Sequence, residues 1–288
     1  MKTSTKLALT GLLAIVSSTA SAVSTGIQDA WQLDTTGAGA GIASVTTNIG
    51  HLNLSGGIGN VNQSFGADGI LGIGDTFTEF GEIFSISVTR ENCVGACDFG
   101  APSLYTSPLF QLQLIYTGLA GSLTSVAGSG AVTYKFDSGV GNIELKGSSN
   151  GVTFTHLANL SPIDPSGGSL GNFLGGLLAN GTTDMLVRVS SSGYTSNLFR
   201  DSTGLSYDPL VNHAPLGTLL AAIHTQNTLG QPAACITDPI TGKTINCNLV
   251  VNSDGSLNLT VPEPGSLALI GAGLMGLVGF RRRRSMMS

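Results

Sequence analysis

The sequence predicts an all-β fold, a β-sandwich-like antiparallel domain, and three observations carry that expectation. Short runs in which apolar and polar residues alternate recur along the chain, the two-residue period of strands buried on one face. Glycine supplies 41 of the 288 residues and gathers with Ser and Asn between those runs, where turns belong. Charged residues are 10% of the chain, against about 25% in ordinary soluble domains. The apolar share is 41%, too high for a disordered polymer.

The elements follow in order. Lys2 and Lys6 form a basic start, Leu7 to Val16 an apolar run, and Ala20-Ser21-Ala22 a small-residue cleavage site. Together they predict a signal peptide over residues 1–22, cut by signal peptidase at Ala20 and Ala22, and a β-rich exported domain over residues 23–260. Trp31 and Leu33 open that domain as a core anchor, before turns at Gly37–Gly41 and Ser55–Asn60. Ile83–Arg90 reads as a strand with Phe84, Ile86 and Val88 on one face. Phe110–Thr117 repeats the device, with Phe110, Leu112, Leu114 and Tyr116 on one face and Gln111 and Gln113 on the other. Val132, Tyr134 and Phe136 form a third strand, Ile143 with Leu145 and Val152 with Phe154 two more, and Met185, Val187 and Val189 another. Ser161–Gly176, with two prolines and five glycines, predicts a long loop, and Leu216–His224 a short helix.

Four cysteines, Cys93, Cys97, Cys235 and Cys247, allow three connectivities. Local pairing is expected in an exported chain: Cys235 and Cys247 flank a hairpin turn, Asp238 to Lys243, and Cys93 with Cys97 would clip a small loop. Their unequal spacings do not match the knuckles of a zinc site.

Motifs for catalysis are poor. Gly167-Gly168-Ser169-Leu170-Gly171 has the letters of a nucleophile elbow, which needs a strand before the serine and a helix after it. Gly271 to Gly276 resembles a dinucleotide fingerprint in letters only, inside an apolar run. His51, His156, His213 and His224 form no ligand cluster. The expectation is a protein that is not an enzyme and needs no cofactor, a secreted hydrolase being the remotest alternative. Asp68, Asp75, Glu79 and Glu82 gather near glycines and could hold calcium, a hard ion that wants several oxygens; a solvated acidic loop is the plainer reading.

The C-terminal stretch, residues 261–288, organises the functional argument. Pro262-Glu263-Pro264 lacks two amide donors and should be extended and open to a processing enzyme. Leu267 to Phe280 carries no charge, and Arg281, Arg282, Arg283 and Arg284 follow it. Fifteen helical residues from Ser266 reach only about 22 Å, short of a hydrocarbon core of roughly 30 Å. Such a helix is a marginal span held by arginines on the cytoplasmic side, suited to transient anchoring in the inner membrane. Losing both terminal signals removes Lys2, Lys6 and Arg281 to Arg284, six of the 12 basic residues and none of the 17 acidic ones counted through Glu263. The exported part then carries −11 against −5 for the whole chain, which excludes a basic nucleic-acid footprint.

This stretch resembles the PEP-CTERM sorting signal of Gram-negative bacteria, through Pro262-Glu263-Pro264, the apolar helix and the arginine cluster in that order. The resemblance implies cutting by an exosortase near Glu263 and release to the cell surface or extracellular matrix. Gly74 to Gly81 and Asn180 to Asp184 are similar to segments of the flocculation-associated PEP-CTERM proteins, loosely from Asp68 to Pro209. That similarity implies association with exopolysaccharide and a part in flocculation or biofilm structure, with no catalytic residues to carry over. A lectin-like module that binds glycans is the alternative.

Overall fold

A computed structural model describes residues 30–39, 45–90, 111–171, 180–212 and 219–260. The expected antiparallel all-β fold is what they form. The strands are β1 (Trp31–Asp34), β2 (Val45–Ser64), β3 (Thr76–Arg90), β4 (Gln111–Val126), β5 (Val132–Phe136), β6 (Asn142–Ser148), β7 (Thr155–Leu170), β8 (Asn180–Val189), β9 (Phe199–Arg200), β10 (Leu220–Thr237) and β11 (Thr244–Thr260). A 3-10 turn, Thr36–Ala38, and one short helix, α1 (Asp208–Asn212), interrupt them.

These strands make one antiparallel sheet in the order β11-β10-β8-β7-β5-β4-β3-β2-β1-β9, with β6 between β4 and β7, and β11 pairs back onto β2 from Asn246↔Ser64 to Leu257↔Leu52. That pairing closes the sheet into a ring, so the facing layers of a sandwich-like fold are halves of one barrel. β5 and β6 lie end to end between β4 and β7 and share one place, which gives a ring of eight places. Eight strands enclose a space that side chains can fill or that one small ligand can occupy. β1 and β9 extend the sheet from the start of β2.

Alternation decides which side goes in. Leu112, Leu114 and Tyr116 of β4, Met185, Val187 and Val189 of β8, and Ala221 and Ile223 of β10 are buried. Between them Gln113, Ile115, Leu186, Arg188 and Ala222 are less buried and take the outer side. Trp31 is fully buried, packs edge-on to Phe199 at 5.8 Å, and donates from Nε1 to the Gly50 carbonyl at 3.3 Å. Burying such rings dominates core energetics.

Five local expectations are corrected. The expected loop at Ser161–Gly176 is strand as far as Leu170. Pro165 fits because the pairing with β8 shifts between Ile163 and Gly167, and Ser166 Oγ repairs the break by accepting from Leu186 N at 2.9 Å and donating to Ile163 O at 2.6 Å. Leu216–His224 is no helix where it is described; from Leu220 it is β10, because ladders to both β8 and β11 outweigh the local helix preference of Leu and Ala. Ser55–Asn60 continues β2 instead of turning, while Val152 and Phe154 lie in the turn before β7. Phe84 faces out, since the inward side passes from Ile83 to Ile86 where Gly56 opposite takes a φ of 68°.

Candidate functional site

The outward face of β11, β2 and β3 is rich in amides. Register places Asn248 beside Asn62 and Asn62 beside Thr78, Val250 beside Asn60 and Asn60 beside Phe80, and Asn252 beside Ile58 and Ile58 beside Glu82. Phe80 is 54% exposed, Phe84 44% and Ile58 41%, so one face carries two aromatic rings and a branched aliphatic. Carboxylates edge it: Glu82 accepts from Gln113 Nε2 at 2.9 Å, and Asp254 accepts from Gly56 N at 2.9 Å. Apolar rings beside amides and carboxylates suit a polyhydroxylated ligand, whose C–H faces stack on rings while its hydroxyls bond to the polar groups.

The barrel interior holds a second polar group of residues. Asn227 on β10 accepts at Oδ1 from Thr225 at 3.0 Å and from Ser253 at 2.9 Å, and donates from Nδ2 to Thr183 Oγ1 at 2.6 Å. Thr183 in turn shares a hydrogen bond with the Tyr134 hydroxyl at 2.6 Å. Glu79 takes no part in this network. Its surface is partly accessible because it faces cavities, while the surrounding wall desolvates it and pushes its carboxyl up to about 7. Burial also raises Tyr116 and Tyr134, with the Glu79 charge adding to both, so both hydroxyls stay protonated.

Space for these rings comes from glycines. The Tyr116 hydroxyl lies 2.6 Å from where a Gly59 Cβ would stand, and the Glu79 Oε1 is 3.0 Å from that point. The Tyr134 hydroxyl stands 2.6 Å from the corresponding point of Gly168. Cavities of about 60 and about 50 Å³ flank Glu79, Thr183 and Asn227, which line both.

The residues expected to bind calcium are not brought together. Asp68 caps a turn through Ile70 N, and Asp75 is buried with its two oxygens accepting from Gly66 N and Gly72 N, both at 2.8 Å. Glu79 points into the barrel and Glu82 away from it. Among the described residues no three His, Cys, Asp or Glu side chains are grouped to hold a metal ion. Sequence reasoning missed the inward role of Glu79, although the period from Phe77 through Gly81 to Ile83 carries it.

Cys235 and Cys247 are bonded, directly opposite each other on β10 and β11. Cys93, Cys97, His213, Ala20, Ala22, Pro262, Glu263, Pro264 and Arg281 to Arg284 lie outside the described residues. Ser169 stands inside β7 between Thr133 and Thr182, so the strand–serine–helix geometry of an elbow is not formed. His156 bridges Glu144 Oε1, 2.6 Å from Nδ1, and the Gly193 carbonyl, 2.5 Å from Nε2. Burial pushes Glu144 up, but hydrogen bonds from His156 and Lys146 outweigh it and hold the carboxyl below its usual range. His224 pairs with Asp184 at 2.6 Å on the outer surface. Among the described residues no helix is long and apolar enough to cross a membrane.

Comparison with curated proteins and with solved structures finds no match to the chain. A family model described as the PEP-CTERM protein-sorting motif matches residues 260–284. The motif directs its carriers, as precursors that pass the inner membrane of Gram-negative bacteria, to exosortase. What identifies the chain is this C-terminal end: it carries the PEP-CTERM protein-sorting motif of an exported exosortase substrate.

Proposed function

We propose that the β-barrel domain works outside the cell as a structural protein of the exopolysaccharide matrix, without catalysis, and contributes to flocculation or biofilm structure. The observation that supports this most is the outward face of β11, β2 and β3, where Phe80, Phe84 and Ile58 sit among Asn60, Asn62, Asn248 and Asn252. A repeating polymer of sugars matches a surface that repeats the same amide and ring chemistry along its strands. The sorting motif supports export of that surface from the cell.

The test deletes the gene in its host and restores it with the wild type or a Phe80→Ala, Phe84→Ala double variant, scoring flocculation and exopolysaccharide output. Restored aggregation by the wild type alone, at unchanged polymer output, is the expected result. Equal rescue by the variant would remove the outer face from the reading. A lectin-like module is the second reading, favoured by the same surface; saturable binding to one defined oligosaccharide would select it over the structural role.

A further inference from the structure

We propose that the interior of the barrel is a binding site for a small organic ammonium ion, with Glu79 as its counter-ion. Glu79 is the one charged side chain among the residues that line the two cavities, and it borders both of them. The neighbouring polar groups are already matched to one another: Asn227, Thr183, Tyr134, Thr225 and Ser253 form a closed set of hydrogen bonds that leaves the carboxyl out. A carboxylate in this position has no compensating charge, and a buried charge is costly unless paired.

The walls choose the class of cation. Phe77 meets Tyr134 and Phe136 edge-on at 5.5 and 5.4 Å, and Phe77 and Tyr134 line the same cavity as Glu79, a wall that favours a cation with an apolar body. A metal ion would want six or more oxygens, and one carboxylate beside hydroxyls and an amide already bonded to one another does not provide them. Cavities of about 60 and about 50 Å³ limit the ligand to a few heavy atoms. A short primary alkylammonium satisfies each condition: charge toward Glu79, chain toward Leu123, Leu170 and Leu249.

The groups facing Glu79 are Tyr116 from β4, Tyr134 from β5, Thr183 from β8 and Asn227 from β10, with no second charge, so Glu79 alone sets the pH dependence of binding.

The experiment uses the full chain purified in an uncharged detergent, with n-propylammonium as probe, propan-1-ol as its neutral counterpart, and Glu79→Gln as the variant. Binding is read by calorimetry and by the shift of the melting temperature. At pH 8.5 the wild type should bind n-propylammonium saturably, at least tenfold more tightly than propan-1-ol and than Glu79→Gln binds the cation. At pH 5 the wild type should lose that preference, an arm that needs no variant to fold. No saturable binding, equal affinity for cation and alcohol, or an unchanged affinity in Glu79→Gln would each overturn the proposal.

Discussion

The Tyr116 hydroxyl lies 2.6 Å from the point that a Cβ on Gly59 would occupy, so the ring fits over β2 because Gly59 has no side chain. Gly81, paired with Gly59 across the two strands, leaves the same room, with that hydroxyl 2.5 Å from its own Cβ point. A methyl group added at Gly59 must displace the ring. Gly59→Ala should therefore destabilise the protein by about 1–3 kcal/mol, the usual cost of overpacking. Tyr116→Phe in the same chain should recover part of the loss, and denaturant unfolding of the three variants checks it.

Glu79 makes stability depend on pH. Its folded value is pushed up to about 7 from 4.5, so between those values the folded protein keeps the proton that the unfolded chain releases. Stability falls as pH rises through that window and levels off above it. Glu79→Gln should leave stability unchanged at pH 4 and raise it at pH 8 by roughly 3 kcal/mol, from a shift of that size at 1.36 kcal/mol per unit. Unfolding curves at the two values decide it; equal gains at both would mean that ionisation is not the cause.

Asp34 and Arg200 tie β1 to β9 through Oδ2 and Nη2 at 2.5 Å, and Asp34 Oδ1 accepts from Thr36 N at 2.9 Å. The Asp34 side chain is 5% exposed and Arg200 30%, so the pair lies between the buried and the surface limits. Arg200→Ala should cost about 2 kcal/mol, less than a fully buried pair because water reaches the guanidinium. Asp34→Asn with Arg200→Ala should lose less than the single change, since no uncompensated charge remains; a double-mutant cycle measures it.

The bond between Cys235 and Cys247 spans a sequence separation of 12, on a hairpin whose turn is closed by Asp238 N to Lys243 O at 2.8 Å. Cys235→Ser with Cys247→Ser should lower stability by at most about 3 kcal/mol, because the entropic gain of a cross-link shrinks with its loop. The sheet on both sides of β10 stays paired, so circular dichroism should keep its β signature.

Sorting has its own readout. Replacing Pro262, Glu263 and Pro264 with alanine should leave the precursor in the inner membrane, whereas wild-type protein recovered from culture fluid should lack Ser266 to Ser288 by intact mass. Extracellular wild-type protein that still carries Arg281 to Arg284 would refute cleavage at this motif.

The sequence by itself determined the class of fold and the exported fate, and it pointed to a Cys235–Cys247 bond that the pairing of β10 with β11 then fixed, because each signal rests on order along the chain. Two-residue alternation marks a strand wherever it lies, as in Met185, Val187 and Val189, and the sorting motif is read as a linear signal. Tertiary structure alone decided the rest. Glycines at Gly167 and Gly168 look like turn formers, yet they lie in β7 because β5 and the Tyr134 ring press against them. Leu220 to Ile223 carries a local helix preference that ladders on both sides overrule. Closure through β11 and β2 joins residues nearly two hundred positions apart, beyond the reach of any window of local sequence. That closure makes an inside and an outside, and so separates Glu79 from Glu82: three residues apart on one strand, the first enters a desolvated interior and the second stays at the surface.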